Sequence, residues 1–203
     1  MIRLLLGTQN EGKIEEAMGL LSGISGLELL TFVEQPFSSV DETGERFVDN
    51  ALLKARSICD ETGVPVLSED AGLEVVALDG APGVRSARFS GEPVDYQRNN
   101  DLLLAKLAGV SDRRARFVAV AALCTPEGQV FVSTGLLRGT IAAACAGSGG
   151  FGYDPLFVPE GKARTMAQMS LDEKNRITHR KHALDHMRSI LIRLIEQSEL
   201  GVE

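Results

Sequence analysis

The chain has 203 residues, and 28 acids against 21 bases give a formal net charge of −7. That length suits one α/β domain, or two small lobes, and 44% apolar with 24% charged residues excludes a disordered chain, a collagen or a coiled coil. No apolar run approaches the roughly 20 residues of a membrane span, and the acidic balance argues against a DNA or RNA polymer as partner.

Met1–Leu6 is a short apolar segment with no basic region ahead of a long apolar stretch, so it does not read as a signal peptide. Cys59, Cys124 and Cys145 are odd in number and scattered, which suits free thiols in a reducing, cytoplasmic setting. Ile2–Leu6 reads as a buried strand, and a helix is expected after the Gly7–Gly12 turn, to about Ser22. Leu27–Val33 reads as a second strand. Phe47, Val48, Ala51, Leu52, Ala55, Ile58 and Cys59 repeat at helical spacing, with Asp41 or Thr43 as the expected cap and Gly63 and Pro65 as the stop. Val64–Leu67 reads as a buried strand ending in Ser68-Glu69-Asp70-Ala71-Gly72, with extended chain again over Leu73–Leu78. Tyr96–Leu107 reads as helix, and Arg116–Cys124 and Gln129–Leu137 as a hairpin around Thr125-Pro126-Glu127-Gly128. Ala142–Pro159 is glycine-rich. Ser170 and Glu173 form a capping box, and a long amphipathic helix runs through Ala183, Leu184, Met187, Leu191 and Ile195. Strands alternating with helices, plus one hairpin, predict a mixed sheet covered by helices.

Four clusters carry candidate chemistry. Gly7-Thr8-Gln9-Asn10-Glu11-Gly12-Lys13 joins a strand to a helix, where backbone N–H groups and the positive end of the helix dipole favour phosphate. The spacing matches G-x-x-x-x-G-K, but Ile14 stands where a Walker A loop needs a hydroxyl for Mg²⁺, so a metal must be held elsewhere. The plain alternative is a glycine-punctuated turn with a surface lysine. Glu69-Asp70 lies at an expected strand end, with Glu42 as a third carboxylate; hard cations take such oxygens, and solvated turn acids are the alternative. Gly147–Pro155 sets Phe151, Tyr153 and Asp154 among glycines, where an aromatic face can stack on a nucleobase or cap the core. Lys174 with Thr178-His179-Arg180-Lys181 can clamp an anion or form a solvated basic face. Lys54, one turn after Asn50, can reach the same site or stay exposed. His179, His182 and His186 share a helical face, but no acid or cysteine partner is evident for zinc.

Taken in order, the motifs resemble the inosine triphosphate pyrophosphatases over nearly the whole chain. The likeness rests on Thr8-x-Asn10-x-x-Lys13; Glu42-Thr43-Gly44 with Phe47, Asn50, Ala51 and Lys54-Ala55; Glu69-Asp70-Ala71-Gly72-Leu73; Gly80-Ala81-Pro82-Gly83 with Ser86-Ala87-Arg88; Gly149–Pro155; Glu173-Lys174; and His179-Arg180. The resemblance implies an elongated mixed sheet flanked by helices, with two lobes and an active-site cleft, in a single domain over 1–203. It implies a cytoplasmic homodimer that uses Mg²⁺ to hydrolyse non-standard purine nucleoside triphosphates (ITP, dITP, XTP) to the monophosphate and pyrophosphate. It assigns Thr8–Lys13 to the triphosphate, Glu42 and Asp70 to Mg²⁺ with Glu69 beside them, and Asp70 to the attacking water. Phe151, Gly152, Tyr153 and Asp154 would hold the base; Lys54, Ala71, Lys174, His179 and Arg180 would complete the nucleotide site. Ala71 stands where the family often has Ser or Thr, and Thr178 where it often has Ser.

Mechanistically, water would attack the α-phosphorus while Mg²⁺ and Lys13 neutralise the polyanion. Donors aimed at a 6-oxo group would leave adenine's amino group without a partner. A P-loop-like NTPase or kinase, a non-catalytic nucleotide-binding module, and an interaction protein built on the C-terminal helix are the competing readings.

Overall fold

The apolar run at the N-terminus becomes strand β1 (Ile2–Leu6), with Leu4 and Leu5 fully buried. The computed structural model describes residues 1–199. Helix α1 (Glu11–Leu21) returns the chain to β2 (Leu27–Leu30), which pairs with β1 in parallel from Ile2↔Leu27 to Leu5↔Leu30. Helix α2 (Phe47–Thr62) makes the second crossover, into β3 (Val66–Val75), parallel to β1 through Leu5↔Val66 and Leu6↔Leu67. After α3 (Tyr96–Lys106), β4 (Arg114–Cys124) and β5 (Val130–Ile141) form the expected hairpin. The short β6 (Phe157–Pro159) pairs antiparallel with β5. The mixed sheet has the order β2-β1-β3-β4-β5-β6, and α4 (Leu171–Asn175) and α5 (His179–Glu199) close the described chain.

Local chemistry accounts for the helix ends. Asn10 caps α1 by accepting from the Lys13 N–H, and Ser170 and Glu173 form the expected capping box on α4. Helix α2 buries Phe47, Ala51, Ala55, Ile58 and Cys59 at helical spacing and ends at Gly63 with φ 67°. Its start differs from the expectation. Arg46, not Asp41 or Thr43, holds the cap position, without a capping side-chain bond, and its guanidinium pairs with Asp49 in the first turn. Strand β2 also stops early, because the Glu34 carboxylate accepts from the Thr31 N–H at 2.8 Å and turns the chain.

The larger difference concerns β3. Glu69 and Asp70 were expected after the strand, yet β3 runs through them to Val75. Both carboxylates are buried, at 9% and 5% exposure, and the apolar pattern resumes at Leu73 and Val75. Strand β6 is a further departure, arising inside a tract that reads as glycine-rich connector.

The chain divides into two compact units. The first comprises Met1–Asp70, Ala119–Gly135 and the described residues from Arg180; the second comprises Ala71–Val118 and Leu136–His179. In the first unit Leu4–Leu6, Ala51, Ile58, Val66, Ala119, Leu184 and Met187 are buried. The second has one apolar core of Leu73, Leu103, Leu107, Phe117, Leu156, Phe157 and their neighbours, with the Phe117 and Phe157 rings 4.5 Å apart.

Candidate active site

In the first unit the site begins where β1 meets α1. A Cβ on Gly7 would lie 2.2 Å from Ser68 Oγ and 2.8 Å from Val66 Cγ1, so only glycine lets β1 end this close to β3. The Gly7 N–H donates to the Leu67 carbonyl, and the Ser68 hydroxyl donates to the Gly7 carbonyl. The Asn10 N–H donates to Thr8 Oγ1 and the Lys13 N–H to Asn10 Oδ1. Glu11, Gly12 and Lys13 therefore belong to the first turn of α1 rather than to a free loop. The Glu11 and Gly12 N–H groups stand outside the helix's own ladder, where an anion is favoured. Gln9 and Asn10 are exposed.

Two lysines converge on one backbone oxygen. Lys54 Nζ donates to the Glu69 carbonyl at 2.9 Å and to Glu42 Oε1 at 2.7 Å, and Lys13 Nζ reaches the same carbonyl at 3.4 Å. Lys13 also lies 3.6 Å from Glu69 Oε1. Burial pulls the Lys13 amine below its ordinary range, against the attraction of Glu69. Beside them, Asn50 Nδ2 donates to Asp70 Oδ2 at 3.0 Å, while Asn50 Oδ1 accepts from the Gly44 N–H at 2.7 Å. Asn50 is fully buried and ties Asp70 to the loop that carries Glu42. Burial raises the Asp70 carboxyl above the usual carboxylate range; the Glu42 charge adds to this, while Lys54, Asn50 and Lys13 oppose it.

Glu69 has a different office from the one expected. Its two oxygens accept from Arg180 Nε and a terminal guanidinium nitrogen at 2.7 and 3.0 Å, and Arg180 also donates to Glu16 Oε2 at 2.5 Å. Arg180 is 3% exposed. Burial disfavours its charge, but Glu69 and Glu16 outweigh that and hold it protonated. The Arg180 side chain, expected on the nucleotide, is thus spent on a buried ion network. Glu69, expected beside the metal, is its partner.

Among the described residues no group of three or more His, Cys, Asp and Glu side chains is placed to hold a metal. Glu42 and Asp70 alone still fit Mg²⁺, which commonly takes one or two carboxylates and completes its shell with water and phosphate oxygens. A buried carboxyl with a raised pKa beside a second carboxylate is a pair that a divalent cation would relieve.

The second unit holds the remaining candidates. Gly150 has φ 80°, and a Cβ there would lie 1.9 Å from Asp154 Oδ2 and 2.5 Å from Lys174 Nζ. Those two groups form an ion pair at 3.1 Å with Lys174 buried, so Lys174 is matched to Asp154 instead of standing open to an anion. The Asn100 side-chain amide donates to the Gly152 carbonyl at 3.0 Å and fixes the turn. Tyr153, expected against the base, is 4% exposed, and its hydroxyl donates to the Ser86 carbonyl at 2.9 Å. Burial raises its pKa, and it anchors the loop from inside the core. Phe151 is 39% exposed, with its ring 6.3 Å from that of the equally exposed Tyr96. His179 is half-buried and stacks on Phe117 at 4.8 Å and 12°. Ala71 is half-buried on β3.

Sequence reasoning gave no role to Asn50 or Tyr96. Asn50 sits on the apolar face of α2, and a buried amide at helical spacing among Phe47, Ala51 and Ala55 was the available signal. Tyr96 had none beyond its position at a helix start.

Residues 4–190 match the Ham1 family. The chain belongs to that family. It is 45% identical over 190 residues to the dITP/XTP pyrophosphatase of Elusimicrobium minutum, covering 91% of this chain and 96% of the relative. It is 47% identical over 188 residues to the dITP/XTP pyrophosphatase of Streptomyces coelicolor, covering 90% and 94%. Among solved structures, the HAM1 protein from Coxiella burnetii matches with a TM-score of 0.89 at 35% identity, over 95% of this chain and all of the other. In this Ham1 chain, no described helix is long and apolar enough to cross a membrane.

Proposed function

We propose that this Ham1 family chain is a pyrophosphatase that hydrolyses non-standard purine nucleoside triphosphates (ITP, dITP and XTP) to the monophosphate and pyrophosphate, clearing them from the nucleotide pool. The single observation that carries the reading is the convergence of Lys13 and Lys54 on the Glu69 carbonyl beside a buried Asp70. That set combines fixed cations for a polyphosphate with a carboxylate whose raised pKa suits a general base. The names of the relatives support the substrate class.

Bound Mg²⁺, held by Glu42 and Asp70, would neutralise phosphate oxygens and orient them for in-line displacement. The chain's own residues do the rest. The Glu11 and Gly12 N–H groups and Lys13 meet the triphosphate, with Thr8 and Gln9 flanking. Asp70 accepts the proton of the water that attacks the α-phosphorus, and Asn50 keeps that carboxylate aimed. Lys54 holds Glu42 in place. In the second unit, Phe151 is the stacking face for a purine, and Gly152, Asp154 and Ala71 are backbone and side-chain groups that would complete its recognition. Lys174 acts through Asp154, Tyr153 through the loop it anchors, and Arg180 through Glu69. A homodimer in the cytoplasm is part of the same proposal, and sedimentation of the purified chain tests its assembly.

The experiment is a panel of ITP, dITP, XTP, GTP and ATP, with and without Mg²⁺, scored by the phosphate product. Pyrophosphate released from the first three in a metal-dependent way is the expected result. Orthophosphate as the product, or no turnover of any of them, overturns the reading.

A further inference from the structure

Within the second unit lies a cavity of about 710 Å³ that the proposed reaction does not use. Its wall is built from the second-unit ends of β3, β4 and β5, from β6, and from the turn after it. The volume is that of a small-molecule site. Its charge runs against the rest of the molecule. In a chain of net charge −7, the lining carries Arg114, Arg116, Arg138 and Lys162 against Glu74 and Glu160.

These four cations are held differently. Asp112 braces the Arg114 guanidinium at 2.6 and 2.9 Å. Glu74 braces Arg116 at 2.6 Å. Both pairs lie open to solvent and offset the charge of these two arginines. None of the ion pairs among the described residues uses Arg138 or Lys162; only their backbones are tied, with the Glu160 N–H donating to the Arg138 carbonyl and the Lys162 N–H to the Pro159 carbonyl. The floor is rigid. Gly139 pairs with Pro159 across the β5–β6 ladder, and a Cβ on it would lie 2.3 Å from the Val158 carbonyl and 2.6 Å from the Phe157 ring. The rest of the wall is mostly apolar, with Val75, Val76, Val158 and Pro159 beside the hydroxyl of Thr140.

We infer that this cavity binds a small organic phosphate monoester. The open Arg138 fork and the Lys162 amine suit its phosphate oxygens, and the side formed by Val75, Val76, Thr140 and Pro159 receives the organic body. A ligand made only of phosphate would leave that side unused.

The test is calorimetric titration of the full chain with ribose 5-phosphate and, in parallel, with inorganic phosphate. Each titration is repeated on Lys13→Ala, which disables the proposed phosphate site of the first unit. Ribose 5-phosphate should bind at millimolar concentration or tighter, more tightly than inorganic phosphate, and Lys13→Ala should bind it as the wild type does. The double variant Arg138→Gln/Lys162→Gln should weaken that binding by about tenfold or more while leaving pyrophosphate release from ITP unchanged. Amide resonances of Gly139, Thr140 and Val158 should move on titration of the wild type. No binding, binding abolished by Lys13→Ala, or equal binding in the double variant overturns the inference. Failure of the ITP assay alone would overturn the proposed function and leave this cavity's titration standing.

Discussion

Arg180 grips Glu69 along one edge of its guanidinium, with bonds of 2.7 and 3.0 Å between residues 111 positions apart in the chain. The same arginine reaches Glu16 on α1, so one cation joins the start of α5 to β3 and to the helix that carries Lys13. A fork that meets two carboxylates at once is something a lysine cannot reproduce.

Glu69→Gln should therefore destabilise the fold by about 3–5 kcal/mol, the usual cost of leaving a buried charge with half its compensation. Denaturant unfolding should show the midpoint falling with little change in slope. Arg180→Lys should destabilise as well. A midpoint within experimental scatter of the wild type for both variants would return the pair to the nucleotide site.

Asp70 pulls stability and activity in opposite directions. Its raised pKa means the folded chain favours the protonated form. The stability this group contributes is fully present below its unfolded pKa and is lost as pH rises through the folded value. At neutral pH the ionised carboxylate is therefore a burden on the metal-free fold. Asp70→Asn should abolish pyrophosphate release. It should also raise the thermal midpoint of the metal-free protein at neutral pH, by about 2–4 °C for each kcal/mol relieved. Calorimetric scans at neutral pH and near pH 4 should show the gain shrinking at the lower value. Lost turnover together with a lowered midpoint at neutral pH would contradict the assignment.

Much of this arrangement was legible locally. The strand–turn–helix at Gly7–Lys13, the apolar face of α2, the hairpin and the Ser170–Glu173 box are written within a few residues of one another, and each formed. Glu69 and Asp70 read as metal-binding acids at a strand end, because nothing near them in sequence satisfies two carboxylates inside a strand. The groups that do so arrive from α1, α2 and α5. The roles of Arg180, Lys174 and Tyr153 were blurred for the same reason. A residue type shows what a side chain can bind, but only the fold shows which partner has already claimed it, as Asp154 has claimed Lys174.

Asn50 makes a sharper test of the site than either lysine, because it bears no charge. Its bond to Asp70 favours the ionised carboxylate. In the kcat/KM profile taken at limiting Mg²⁺, where the free enzyme carries no metal, the acid limb should lie above the ordinary Asp range and move further up in Asn50→Ala. Loss of the Gly44 anchor should also weaken the response to Mg²⁺, since Glu42 lies on that loop. A profile that keeps its acid limb while only the maximal rate falls would mean that Asn50 serves packing alone.

Phe151 separates base recognition from fold stability. It is the one exposed phenylalanine among the described residues, and its ring has an aromatic neighbour in Tyr96 rather than a place in the core. A ring used for packing would cost several kcal/mol of stability when truncated. A ring used for stacking would cost affinity instead. Phe151→Ala should leave the unfolding midpoint nearly unchanged and weaken inosine monophosphate binding by about 1–3 kcal/mol. Phe151→Tyr, which keeps the face, should restore most of that loss. Titration showing full affinity in the alanine variant would remove Phe151 from the nucleotide site and leave the purine to be held by backbone groups of the Gly147–Pro155 loop.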